Sequence, residues 1–132
     1  RLNYVLADNT YTNGNSTVAG AVYSGAFYYN SDRSLKSNIT TIPNALSSIL
    51  QLRGVEFNWK KDGTHDLGVI AQEVEKVYPE LVSTDPKTGL KSVEYGNLVA
   101  PLIEAIKEQQ KQIDAQKKEI EQLQERMKQL GG

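Results

Sequence analysis

An α+β fold ending in a long self-associating helix is predicted by three observations. Charge is confined almost entirely to the residues after position 30. Between positions 31 and 98, period-2 runs alternate with short stretches of helical spacing. From Val99 onward the apolar residues recur every seven positions. The chain has 132 residues, enough for one modest domain with an extension.

Residues 1–30 hold two charged residues, Arg1 and Asp8, and five of the seven tyrosines. That contrast places a boundary between Asn30 and Ser31. The first segment reads as β: Leu2 to Leu6, a turn-rich stretch through Asn13-Gly14-Asn15, then Thr17 to Tyr29. Thirty such residues cannot bury a core alone, so they are expected to be the end of a larger β-structure or strands completed by sister chains. The absence of a starting methionine fits a fragment of something longer.

The middle mixes elements. Ala45, Leu46, Ile49, Leu50 and Leu52 follow Pro43-Asn44 at helical spacing, with Gly54 as a stop. Val55 to Trp59 alternates as a strand, turns through Lys61-Asp62-Gly63, and returns over Leu67 to Ile70. A short helix over Ala71 to Tyr78 ends at Pro79. Leu81 to Ser83 and Leu90 to Val93 flank the turn Asp85-Pro86-Lys87-Thr88-Gly89.

The last element is a coiled-coil helix over 97–130. Its a positions are Val99, Ile106, Ile113, Ile120 and Met127; its d positions are Leu102, Gln109, Gln116, Leu123 and Leu130. A repeat of seven keeps one seam toward a partner and implies left-handed supercoiling. So narrow a stripe cannot wrap a globular core, and one such helix alone is marginal in water. Isoleucine at a with leucine at d favours dimers, but Gln109 and Gln116 reset the preference. Dimer and trimer both remain open on spacing, with trimer slightly ahead.

Composition excludes much chemistry. There is no cysteine and one histidine, so disulfides, thiol catalysis and Cys- or His-rich metal sites are ruled out, and no metal or cofactor is expected. A net charge of −1 gives no field for nucleic acid or an anionic membrane. No apolar run reaches the roughly 18 residues of a membrane span. Neither form of glycine-rich phosphate loop occurs. His65 is expected in a polar turn, and Glu73 and Glu75 on a solvated helix face.

One constellation remains, Ser31-Asp32-Arg33-Ser34-Leu35-Lys36. A serine hydroxyl becomes nucleophilic when a base takes its proton, and a lysine serves once burial or a neighbouring cation such as Arg33 disfavours its ammonium form. The same residues also read as a turn with Ser31 as cap and Lys36 on the surface. Spacing alone favours that plainer reading; the position on the composition break favours the first.

Three ordered blocks carry a family resemblance: Ser31 to Lys36; Gly68-Val69-Ile70-Ala71-Gln72-Glu73-Val74-Glu75 with Pro79-Glu80-Leu81-Val82; and Tyr95-Gly96-Asn97-Leu98 with Leu102-Ile103-Glu104-Ala105-Ile106-Lys107. Residues 31–132 resemble the C-terminal intramolecular chaperone (peptidase S74) domain of phage tail spikes, tail fibres and endosialidases. The resemblance implies a homotrimer that registers the β-rich stalk of its own polypeptide and then releases itself. It implies cleavage at Asn30–Ser31, with Ser31 as nucleophile and Lys36 as base, in the host cytoplasm during phage assembly, the parent remaining in the virion tail. Residues 1–30 would be the end of that parent. The competing expectations are a trimerisation module that does not cut and a receptor-binding tip that stays on the fibre.

Overall fold

The computed structural model describes residues 13–131. The expected strand Leu2 to Leu6 lies outside them. One unit ends at Asn38 and a second begins at Ile39, and Asn38 itself takes a left-handed φ of 52°.

In the first unit, Thr17 to Tyr29 forms no strand, against expectation, and its side chains are exposed, with Tyr23 and Tyr28 both above 90%. The physical reason is that a strand needs a neighbour for its N–H and C=O groups, and among the described residues this segment has none. Among its described residues the regular element is a 3-10 turn, Arg33–Leu35.

The second unit is α+β, as expected. Its elements are α1 (Ala45–Ile49), β1 (Val55–Asn58), β2 (His65–Gly68), α2 (Ala71–Val77), β3 (Val82–Thr84), β4 (Lys91–Val93) and α3 (Val99–Gly131). Short 3-10 turns, Pro79–Leu81 and Tyr95–Leu98, lead into β3 and α3. The strands form two separate antiparallel hairpins, β1 with β2 and β3 with β4.

The first hairpin pairs Val55 with Gly68 and Asn58 with His65, so its return strand starts two residues earlier than the sequence pattern implied. The turn explains the shift. Trp59 N–H donates to the Thr64 carbonyl at 2.8 Å, and Gly63, at φ 73°, donates to the Trp59 carbonyl at 2.7 Å. That closure leaves His65 opposite Asn58. The second hairpin closes through Asp85, whose carboxylate accepts from the Lys87 N–H at 2.8 Å, with Gly89 at φ 71°.

Burial is concentrated in two clusters. Val74, Tyr78 and Leu81 form one, packed by Leu52, Val69, Val93 and Leu98 among others. Ala45, Leu46 and Ala105 form the other, and Ile49 touches both. Val74 is the most enclosed side chain at 1% exposure; burying a valine stabilises by about 1.5–3 kcal/mol.

Helix α1 is only five residues long and begins after Asn44, which has φ 53° and offers no side-chain cap. The cap arrives from elsewhere. Glu108 on α3 accepts from the Ala45 N–H at 2.9 Å and the Leu46 N–H at 3.1 Å, one with each carboxylate oxygen. This satisfies two of the amides a helix start leaves orphaned and sets a negative charge at its positive end.

Candidate functional site

Ser31 and Lys36 are brought together. Lys36 Nζ donates to Ser31 Oγ at 2.6 Å. The intervening chain makes this contact possible. Asp32 caps the 3-10 turn: its Oδ1 accepts from the Ser34 N–H at 2.8 Å and from the Ser34 hydroxyl at 2.6 Å. Leu35 N–H bonds back to the Asp32 carbonyl and Lys36 N–H to the Arg33 carbonyl, both at 3.1 Å. An extended chain would carry residue 36 some 16 Å from residue 31; the turn folds it back.

The two hydrogen bonds from Ser34, the hydroxyl first and the amide second, hold the Asp32 carboxyl below its usual value of 3.8. Asp32 and Ser34 were missed as positioning residues by sequence reasoning, although an Asp followed two residues later by Ser is a recognisable capping signal. A short contact between Oγ and Nζ lets a proton pass from one to the other, which is what activation of serine requires. Ser31, Lys36 and Asn30 are all exposed in the single chain.

The second set of predicted residues lies on α3. The apolar members Val99, Leu102, Ile106, Ile113, Ile120, Leu123, Met127 and Leu130 are exposed, from 42% at Leu102 to 89% at Leu130. Gln109 and Gln116 are exposed on the same stripe. The helix meets the rest of its unit through other positions: Pro101 and Ala105 are buried, and Glu108 reaches α1. Asp114 accepts from Gln110 Nε2 at 2.9 Å.

Two side expectations are corrected. His65 sits on β2, not in the turn, with Nδ1 3.1 Å from the Asn58 amide oxygen. Glu73 and Glu75 are paired, not merely solvated: Glu73 with Arg53 at 2.8 Å and Glu75 with Lys91 at 3.0 Å. These pairs tie α2 to the chain before β1 and to β4. A groove of about 680 Å³, lined by Phe57, Trp59, Leu67, Ile70 and Tyr95, opens beside the first hairpin; its charged members Asp66 and Lys91 already bond to Trp59 and Glu75.

A folded-back Ser–Lys contact thus precedes, along the chain, an α+β unit and a helix whose heptad stripe is exposed. Residues 31–83 match the family described as chaperone of endosialidase, peptidase S74. The match begins at Ser31 itself. The chain is also similar to the long tail fiber protein Gp37 of Salmonella phage S16, 31% identical over 126 residues. That alignment takes in 88% of this chain but only 17% of the relative's length.

Proposed function

We propose that this domain is an intramolecular chaperone that trimerises the end of a phage tail fibre or spike and then cuts itself free at Asn30–Ser31. The observation that carries the reading is the 2.6 Å contact between Lys36 Nζ and Ser31 Oγ, held by the Asp32-capped turn at the point where the family match begins. The fibre context rests on the similarity to a long tail fiber protein.

In the mechanism, neutral Lys36 takes the proton of Ser31 Oγ. The oxygen attacks the carbonyl carbon of Asn30, its own or a neighbouring chain's, and the bond to the Ser31 nitrogen breaks. The proton on Lys36 passes to that leaving amine. An ester links Asn30 to Ser31 Oγ until water hydrolyses it. The reaction is a single turnover. A neutral lysine needs a desolvated setting, and both side chains are exposed in the single chain. Assembly supplies the missing cover, so cleavage waits for the trimer.

The sequence of events has a kinetic purpose. Interwoven β-structure from three chains has high contact order and forms slowly, with open edges that invite aggregation. A coiled coil forms from local contacts and concentrates the attached strands. Removing the template afterwards leaves the closed stalk without an easy way back.

The test is expression of the full chain with its intact mass and oligomeric state measured together. A product beginning at Ser31 is expected from the native chain, and only the uncut 14.7 kDa chain from Ser31→Ala or Lys36→Ala. Cleavage of either variant at Asn30–Ser31 refutes the dyad. The exposure of both side chains favours a second reading, a trimerisation module that never cuts; an uncut native trimer establishes it.

A further inference from the structure

The apolar stripe of α3 is interrupted at two successive d positions, Gln109 and Gln116. Helix α3 is continuous through both, so the interruption is chemical and not a break in the helix. Neither side-chain amide hydrogen-bonds to any described residue, whereas the adjacent Gln110 is engaged with Asp114. Two amides thus stand unused on a face otherwise made of isoleucine, leucine, valine and methionine.

We propose that Gln109 and Gln116 form two consecutive polar layers of a parallel coiled coil between copies of this chain, and that these layers lock its axial register. The proposal rests on the self-association read above and names what aligns the copies. An amide carries both donors and an acceptor, so identical glutamines meeting in one layer satisfy one another. In the aligned arrangement Gln109 meets Gln109, Gln116 meets Gln116, and every other d layer is leucine.

A slip of one heptad keeps one glutamine pairing, Gln109 against Gln116. It sets the remaining glutamines against Leu102 and Leu123, where their amides lose water and gain no partner. An antiparallel pairing brings d positions against a positions, all of which are apolar here, and strands both amides. Flanking charge permits the aligned arrangement without selecting it: Gln112 faces Lys117 and Glu119 faces Gln124, so no like charges are opposed, while a one-heptad slip sets Glu119 beside Lys117; the selection therefore falls to the glutamine layers. Register has a purpose as well. A one-heptad slip displaces one chain by about 10 Å along the axis, carrying its attached segment out of line with its neighbours.

The chain has no cysteine, so single introduced thiols report register without interference. Full-length chains carrying Leu130→Cys and full-length chains carrying Leu123→Cys are co-expressed, oxidised and mapped by mass spectrometry, with oligomeric mass from sedimentation equilibrium. In the native background, links 130–130 and 123–123 are expected, with at most a trace of 123–130. In the Gln109→Leu/Gln116→Leu background the 123–130 link becomes a major product, while the coil melts at higher temperature. If the native seam gives the 123–130 link as readily as the leucine seam, or the leucine seam keeps a single register, the layers do not set register. Chains that stay monomeric at every concentration overturn the self-association reading itself, which separates the two failures.

Discussion

Replacing Glu108 by alanine removes the N-terminal cap of α1 and tests how the long helix is fastened to its unit. Both Glu108 oxygens are committed, to the Ala45 N–H at 2.9 Å and the Leu46 N–H at 3.1 Å. Ala45 is fully buried and Leu46 is 8% exposed, so water replaces the lost acceptors poorly. Losing a helix cap costs about 0.5–2 kcal/mol, and a hydrogen bond to a charged group about 1.5–3 kcal/mol. The two bonds share one carboxylate and are not additive, so we expect Glu108→Ala to destabilise by about 2–3 kcal/mol. Glu108→Gln keeps one acceptor and loses the charge, and we expect about 1 kcal/mol. The assay is urea unfolding at one fixed protein concentration, because association contributes to apparent stability. Equal loss in both variants means that Glu108 acts by its size and not as a cap. A change within about 0.5 kcal/mol for the alanine variant, the level of an ordinary surface substitution, refutes the capping argument altogether.

Asp32→Ala removes the acceptor that closes the 3-10 turn, so the Ser31–Lys36 contact loosens and cleavage at Asn30–Ser31 slows by about 10- to 100-fold, with Asp32→Asn retaining most of the rate in a time course. Because the Asp32 carboxyl titrates below 3.8, the stabilisation that its bonds provide is complete above that pH and is lost as pH falls through the lowered value. A carboxyl-detected NMR titration checks the sign: the native midpoint falls below 3.8, and Ser34→Ala raises it. Lysine at both Ile113 and Ile120 places charge in the heptad seam; we expect a monomer by sedimentation and little cleavage, and normal cleavage by that monomer would contradict assembly control. A Cβ on Gly68 would lie 2.7 Å from Tyr95 Oη, so Gly68→Ala displaces the hydroxyl that accepts from the Val69 N–H and costs about 1–2 kcal/mol; most of that cost disappears in a Tyr95→Phe background, measured as a double-mutant cycle.

What the sequence made legible follows from the range of the forces involved. Alternation over Val55 to Trp59, the Asp-Pro-Lys-Thr-Gly turn and the heptads of α3 are local patterns, and the corresponding elements are present. The register of the first hairpin depended on how Trp59, Gly63 and Thr64 close the turn, which periodicity does not encode. Thr17 to Tyr29 has strand composition, yet composition supplies no hydrogen-bonding neighbour. Asp32 and Ser34 carried a local signal that was available. Glu108 carried none, because its partners lie 62 and 63 residues away and a charged residue on an exposed helix ordinarily reads as solvated.

The two uses of α3 fall on different sides of the helix. Pro101, Ala105 and Glu108 face the unit, while Val99, Leu102 and Ile106 belong to the heptad stripe; at 100° per residue the centres of the two faces are separated by about 125°. Fastening the helix to α1 therefore leaves the stripe uncovered instead of consuming it. Beyond Glu108 the helix extends for about 33 Å with no buried residue. A lone helix of that kind is marginal in water, and in the proposed assembly its order would come from other copies laid along the stripe. Those copies meet a helix already anchored by Glu108, and the same rigid rod then carries both the alignment of the seam and the position of α1. Loosening the cap is thus expected to weaken association as well as the unit's own stability, although Glu108 touches neither the seam nor the Ser31–Lys36 pair.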